Sequence, residues 1–156
     1  MNKRDIDTFD NQIQSNLKEL REEVEKTCAR DSEVIPISEV IYDNCVSLLK
    51  TIPESVRFPF LGWLEEEGGI ELIWLLHGIV VTLNLYEESW VFFGVGWDPH
   101  HKNVGKLKAL LYVLRSPKFM IFKDPPPVDH IGGVCALSHL LNSPDFMNAL
   151  SKIFEK

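Results

Sequence analysis

Residues 70–97 read IELIWLLHGIVVTLNLYEESWVFFGVGW, and this stretch decides the fold. Its apolar runs at 70–74, 79–86 and 90–97 alternate between two faces and are rich in β-branched and aromatic residues, which is typical of β-strands. Only a few residues separate one run from the next, whereas parallel strands need a crossover of a dozen or more. The stretch therefore predicts an antiparallel β-meander.

Helical patterns flank the meander on both sides, with apolar residues recurring at spacings of three and four. The predicted helices span residues 5–29, 37–50, 104–115, 128–141 and 143–154. A short fourth strand is predicted at 119–122. The predicted fold class is α+β, a three- to four-stranded antiparallel β-meander packed with N-terminal and C-terminal helices.

The length predicts a single domain over residues 1–156, with a stiff break at the prolines of 124–127. The apolar stripe of helix 5–29 is narrow. Residues 1–30 therefore either pack on the domain, or protrude and form a coiled-coil seam at 5–29, with a second copy in a homo-oligomer or with a partner chain. The pattern is too short to separate these alternatives.

The three cysteines Cys28, Cys45 and Cys135 are far apart and form no CxxC pair, which predicts reduced thiols in a cytoplasmic protein. The polar N-terminus predicts no signal peptide. No stretch approaches the roughly 20 apolar residues of a membrane span, so no membrane partner is expected. No cofactor motif occurs, and none is predicted.

The net charge of −7 is unevenly spread along the chain. Residues 36–100 carry 2 basic and 10 acidic side chains, while residues 101–156 carry 8 basic and 4 acidic ones. An acidic middle argues against direct binding to nucleic acid, because acidic surface repels phosphate. It suits a basic protein partner, including a protein that itself binds nucleic acid. The alternative is a solvated surface that keeps the chain soluble.

Acidic turns and tryptophans lie close together in this part of the chain, and exposed aromatic residues ringed by acids are typical of protein-binding surfaces. The alternative for the tryptophans is core packing. The predicted partner-binding residues are Glu65, Glu66, Glu67, Glu87, Glu88, Trp63 and Trp90.

Two further clusters follow the meander. Asp98, His100 and His101 offer carboxylate and imidazole groups of the kind that bind zinc, although a site needs three or four converging ligands. The alternative is an exposed polar loop. A basic segment then begins, and the predicted anion-binding residues are Lys102, Lys106 and Lys108; the alternative is pairing with the chain's own acidic residues.

From Pro59 to Val95 the chain resembles a loosely defined set of small bacterial and phage-encoded proteins. The shared pattern is an extended segment with proline, a glycine turn at Gly68-Gly69, a strand ending at Trp74, and two more strands. The resemblance implies a helix-plus-meander architecture and carries no catalytic residue.

No catalytic motif occurs in the sequence, which therefore favours a non-enzymatic interaction protein, such as an inhibitor, antitoxin, immunity or anti-defence factor, that binds a macromolecular partner through an acidic, aromatic surface. The alternatives are a metal-dependent hydrolase or nucleotide-processing enzyme using His100, His101 and Asp98, and a structural subunit that assembles through the first helix.

Overall fold

The computed structural model describes residues 6–122 and 129–155, and for Ile6 only its backbone. These described residues form six strands and five α-helices, with a 3₁₀ helix at Lys102–Leu107. The predicted proline break at 124–127 lies outside the described residues. The elements are α1 (Ile6–Arg30), α2 (Glu39–Leu49), β1 (Phe60–Leu64), β2 (Gly69–Leu76), β3 (Ile79–Leu85), β4 (Trp90–Trp97), α3 (Lys108–Val113), β5 (Phe119–Ile121), β6 (His130–Ala136), α4 (Leu137–Asn142) and α5 (Asp145–Ile153).

The six strands form one antiparallel sheet in the order β1-β2-β3-β4-β6-β5. Residues paired directly across antiparallel strands point to the same face. The register aligns Leu72 with Leu83, Leu83 with Phe93, and Phe93 with Gly133. These positions belong to what we call the inner face of the sheet.

The inner face forms the core together with the helices. Alternate residues of β2, β3 and β4 are buried there, and Ile70, Leu72, Leu83 and Val91 have no accessible surface. They belong to one apolar cluster with the buried side chains of α1, α2, α3, α4 and α5. The architecture is therefore two layers, with the described helices on one side of the sheet.

The expected α+β class and antiparallel meander are confirmed, but the strand count is wrong, since the sheet has six strands rather than three or four. The predicted extended segment before the meander ends in strand β1. The predicted helix over 128–141 is also wrong in its first half, because residues 130–136 form β6, which is inserted between β4 and β5.

Close packing explains one of the two glycines that weaken the pattern of β6, namely Gly133. A Cβ atom at Gly133 would overlap the Met120 carbonyl oxygen and lie 2.8 Å from the Phe93 ring. Glycine therefore permits the close approach of β5 and β6 at this point.

The first helix packs within the chain. Ile13, Leu17, Leu20 and Val24 are at most 4% exposed, and α1 contacts both β1 and α2. The Arg21 guanidinium donates to both carboxylate oxygens of Glu39, at 2.6 and 2.9 Å, and lies 3.9 Å from the centroid of the Tyr42 ring. Assembly through residues 5–29 remains a prediction, and it would have to use the helix faces that this packing leaves exposed.

Among the described residues, no helix combines the length and the apolar character needed to cross a membrane.

Candidate functional site

The second face of the sheet, which we call the outer face, is covered by no described helix. Seven of the eleven large apolar side chains that are exposed in the described residues lie on it. They are Phe60, Leu75, Val80, Trp90, Phe92, Met120 and Phe122. Their positions follow from the register, in which Leu75 pairs with Val80 and Met120 with Val134.

Aromatic rings form a chain across this face. The Tyr86 and Phe92 rings meet edge to face, with centroids 5.5 Å apart. Phe92 and Phe122 have centroids 6.3 Å apart, and the backbone N–H of Phe122 donates to the Gly132 carbonyl, which holds Phe122 beside β6. A pocket of about 460 Å³ opens beside Trp90, lined in part by Met120 and Val134.

One end of the outer face is acidic. Burial raises the pKa of the Tyr86 hydroxyl; a hydrogen bond with Asn84 lowers it, and the charges of Glu67, Glu71 and Glu88 raise it. The charges of three carboxylates, from two turns and one strand, therefore act on one tyrosine. The register places Glu71 on the outer face, opposite Asn84.

The structure brings most of the predicted partner-binding residues to this end and separates one of them. Glu65, Glu66 and Glu67 are exposed in the turn between β1 and β2, and Glu87 and Glu88 in the turn between β3 and β4. Trp90 is on the outer face and 46% exposed.

Trp63 lies on the inner face, because it pairs with the buried Ile70. Its indole N–H donates to the Ile35 carbonyl at 3.0 Å. Trp63 and Trp90 therefore do not share a surface.

The predicted metal ligands Asp98, His100 and His101 lie in a turn after β4. The Asp98 carboxylate accepts from the His100 backbone N–H at 3.0 Å, and His101 Nδ1 accepts from the Asn103 N–H at 3.2 Å. The His101 ring is stacked on His77 with centroids 6.4 Å apart. Within residues 6–122 and 129–155, no group of three or more His, Cys, Asp or Glu residues is arranged to hold a metal ion.

The predicted anion-binding lysines lie along the 3₁₀ helix and the start of α3. Lys106 Nζ donates to the Glu155 carbonyl at 2.6 Å, which ties this segment to the end of α5. Lys102 and Lys108 are exposed, and Lys108 lines a groove between α3 and α5 together with Lys152. These residues belong to the helical layer and not to the outer face.

Two of the three cysteine thiols are held in the protonated form. Burial raises the pKa of Cys45 and of Cys135 to about 12, so both are protonated at neutral pH. The nucleophilic form of cysteine is the thiolate, and neither residue supplies it under ordinary conditions.

Over the residues that the structure describes, the fold is a two-layer α+β arrangement in which no helix covers one face of the sheet. Comparison with protein-family models, curated proteins and solved structures found no match for this chain.

Sequence reasoning did not single out Tyr86, Phe92, Phe122 or Met120 as site residues. The alternation in β3 and β4 places Tyr86 and Phe92 on one face, but only the position of β6 brings Phe122 beside them.

Proposed function

We propose that this chain is a non-enzymatic interaction protein whose outer face binds a basic macromolecular partner. An inhibitor, antitoxin, immunity or anti-defence factor acts in this way, by occupying a surface of its target. The observation that carries the proposal is an apolar sheet face that no described helix covers, bordered at one end by glutamates.

The exposure of the outer face distinguishes it from ordinary surface. Soluble monomers scatter single apolar residues over their surface, while a contiguous apolar patch marks a binding surface. Trp90, Phe92 and Phe122 belong to one such patch, with exposures of 46, 39 and 48%. Large aromatic residues of this kind supply much of the binding energy in protein interfaces.

The charges around the face support a basic partner. Residues 58–101, which include all of β1 to β4, contain seven acidic residues and no lysine or arginine. Opposite charges steer two proteins together and raise the association rate, most strongly at low salt.

Site-specific photo-crosslinking tests the proposal. A photoreactive amino acid replaces Val80 on the outer face, or Tyr112 on α3, which is 76% exposed on the helical layer. We expect capture of a defined protein from an extract of cells that express this chain naturally, from position 80 and not from position 112. Equal capture at both positions, or none at either, would contradict the proposal.

Charge reversal provides a quantitative test with the captured partner. Replacing Glu65, Glu66 and Glu67 by lysine should lower the association rate by at least about tenfold at low salt, because the electrostatic attraction is removed. The control reverses the exposed glutamates Glu22, Glu23 and Glu25 of α1, which changes the net charge equally on the helical layer. An equal effect of both triple variants in stopped-flow binding would show that only net charge matters.

A further inference from the structure

The sheet has two edge strands, and the described residues leave one of them open. At the β1 edge, the Trp63 indole donates to the Ile35 carbonyl, and the Ile35 N–H donates to the Glu65 carbonyl at 2.8 Å, so other residues of the chain lie alongside. Helix α1 also contacts β1. On the opposite side of the sheet, β5 pairs with β6 alone, and no described strand lies beyond it. We call this second edge the β5 edge.

The hydrogen bonds of β5 show which of its peptide groups face outward. The Phe122 N–H donates to the Gly132 carbonyl at 3.0 Å, next to the register pair of Ile121 and Gly133. Along an antiparallel pair, successive residues alternate between bonding to the neighbouring strand and pointing their peptide groups away from it. The N–H and C=O of Ile121 therefore point away from β6. Peptide groups that face outward from a sheet edge are a template for one more strand.

Apolar side chains follow one another along the β5 edge. Met120, Ile121 and Phe122 are 63, 38 and 48% exposed. Folded proteins commonly protect an open edge with charged residues or proline, and β5 contains neither. Met120 and Phe122 lie on the outer face, so the β5 edge is continuous with the proposed binding surface.

A pocket lies on each side of the β5 edge. On the outer face, the pocket beside Trp90 is lined in part by Met120. On the helical side, a second pocket of about 490 Å³ is lined in part by Phe119, Arg115 and His139. Because successive side chains of a strand point to opposite faces, a strand added at the β5 edge would direct its side chains alternately to these two sides. In strand addition, main-chain hydrogen bonds give affinity, and pockets for alternate side chains give specificity.

We propose that the β5 edge binds an extended segment of the partner protein, which pairs with Ile121 as a seventh strand and places apolar side chains beside Met120 and Phe122. A strand fits this edge better than a helix, because an α-helix uses its own peptide groups internally and has none to offer Ile121. This inference rests on the proposed function and names how the partner is held.

Hydrogen exchange measured by NMR tests the inference on the intact chain. The probe is an eight-residue peptide of alternating valine and lysine, which supplies one apolar face and suits the acidic chain. In the free protein, the Ile121 N–H should exchange rapidly and the Phe122 N–H slowly. Excess peptide should slow exchange at Ile121 by at least about tenfold, because a new hydrogen bond protects the amide. Protection of Ile121 in the free protein, or unchanged exchange with the peptide, would overturn the inference.

A control peptide separates main-chain pairing from apolar contact. It has the same sequence, with N-methyl groups on two adjacent central amides, so that neither edge of the peptide can pair fully. In fluorescence anisotropy with fluorescein-labelled peptides, we expect the methylated peptide to bind at least about tenfold more weakly, because main-chain hydrogen bonds are lost. Equal binding of the two peptides would count against strand addition.

Two variants at one position carry the same distinction into the protein. Ile121→Pro removes the outward N–H and keeps the bonds to β6, and proline is tolerated at such edge positions. We expect it to weaken binding of the unmethylated peptide by at least about tenfold. Ile121→Ala is the control, since it keeps the N–H and removes most of the side chain. Circular dichroism checks that both variants are folded, and equal weakening by both would contradict pairing through the backbone. Should Ile121→Pro unfold, the methylated peptide decides.

The two proposals fail separately. If position 80 captures its protein equally from the wild-type chain and from Ile121→Pro, the outer face binds without strand addition, and only this inference is wrong. If the peptide protects Ile121 while position 80 captures nothing, the proposed function is wrong and the β5 edge still binds a strand. If light scattering shows a dimer that Ile121→Pro dissociates, a second copy of this chain occupies the edge, and the inference of a partner strand is wrong.

Discussion

At the scale of single residues, the outer face depends on one close contact. The Tyr86 ring lies over Gly69, where a Cβ atom would be 2.9 Å from the ring and 2.6 Å from the Leu85 carbonyl oxygen. The missing side chain leaves room for the Tyr86 ring, which meets the Phe92 ring edge to face and whose pKa is raised by the charges of Glu67 and Glu71. Gly69 thus positions the Tyr86 ring at the acidic end of the outer face.

Gly69→Ala should lower the free energy of unfolding by about 1–3 kcal/mol, because the added methyl group forces the backbone and the tyrosine apart. Urea denaturation followed by circular dichroism measures this change. Gly105→Ala is the control, since nothing lies within 4 Å of its added Cβ. Equal stability of the two variants would refute the close packing at Gly69.

The metal hypothesis for Asp98, His100 and His101 can also be tested at this scale. Asp98 and His101 already accept backbone hydrogen bonds in the turn after β4. We expect chelator treatment to leave Tm unchanged, and untagged protein to contain substoichiometric zinc by elemental analysis. Stoichiometric zinc together with a fall in Tm on chelation would instead establish a metal site.

At the scale of elements, each strand of the meander has one face in the core and one on the surface. Val80 and Val81 are neighbours in β3, but Val81 is 1% exposed and Val80 is 39% exposed. The same substitution at these two positions therefore separates the energetics of folding from those of binding.

Val81→Ala should destabilise the protein by about 2 kcal/mol, because it removes buried methyl groups and leaves a cavity. Val80→Ala should change stability by about 0.5 kcal/mol at most and weaken partner binding instead. Thermal unfolding and a binding assay, applied to both variants, check this contrast. A large loss of stability for Val80→Ala would mean that the side chains of the outer face are buried against other parts of the chain.

The elements also show how far the sequence alone determines this fold. The strands of 70–97 alternate clearly and are joined by short turns, so local pattern sufficed to predict the meander. β6 was missed because Gly132 and Gly133 interrupt its apolar pattern, and because its pairing with β4 joins segments that are far apart in sequence.

The acidic part of the site was predictable, since Glu65 to Glu67 and Glu87 to Glu88 lie in turns that the sequence marks. The apolar part was not, because the outer face is exposed only where no described helix covers it, and that is a property of the whole arrangement. Trp63 and Trp90 look alike in sequence, and only the register places them on opposite faces of the sheet.

At the scale of the whole molecule, α1 belongs to the folded core rather than to an appendage. Its buried residues Ile13, Leu17, Leu20 and Val24 close the inner layer beside β1 and α2. Burial of a large aliphatic side chain contributes about 1.5–3 kcal/mol, and whole domains are stable by only about 5–15 kcal/mol.

Removal of residues 1–30 should therefore abolish cooperative unfolding or cause aggregation. Calorimetry and light scattering on the truncated chain test this expectation. A truncated chain that stays folded as a monomer, while the full chain is a dimer, would show that the first helix serves assembly.

The tryptophans give the molecule a built-in optical reporter. The Trp74 indole is 2% exposed and donates its N–H to the Arg57 carbonyl at 2.8 Å, while Trp90 stands 46% exposed near Glu87 and Glu88. A cationic collisional quencher such as caesium is concentrated near these carboxylates and should reach Trp90 while sparing Trp74. When a partner occupies the outer face, caesium should no longer quench the Trp90 emission. This change would record binding in real time, in unlabelled protein and without any engineered probe.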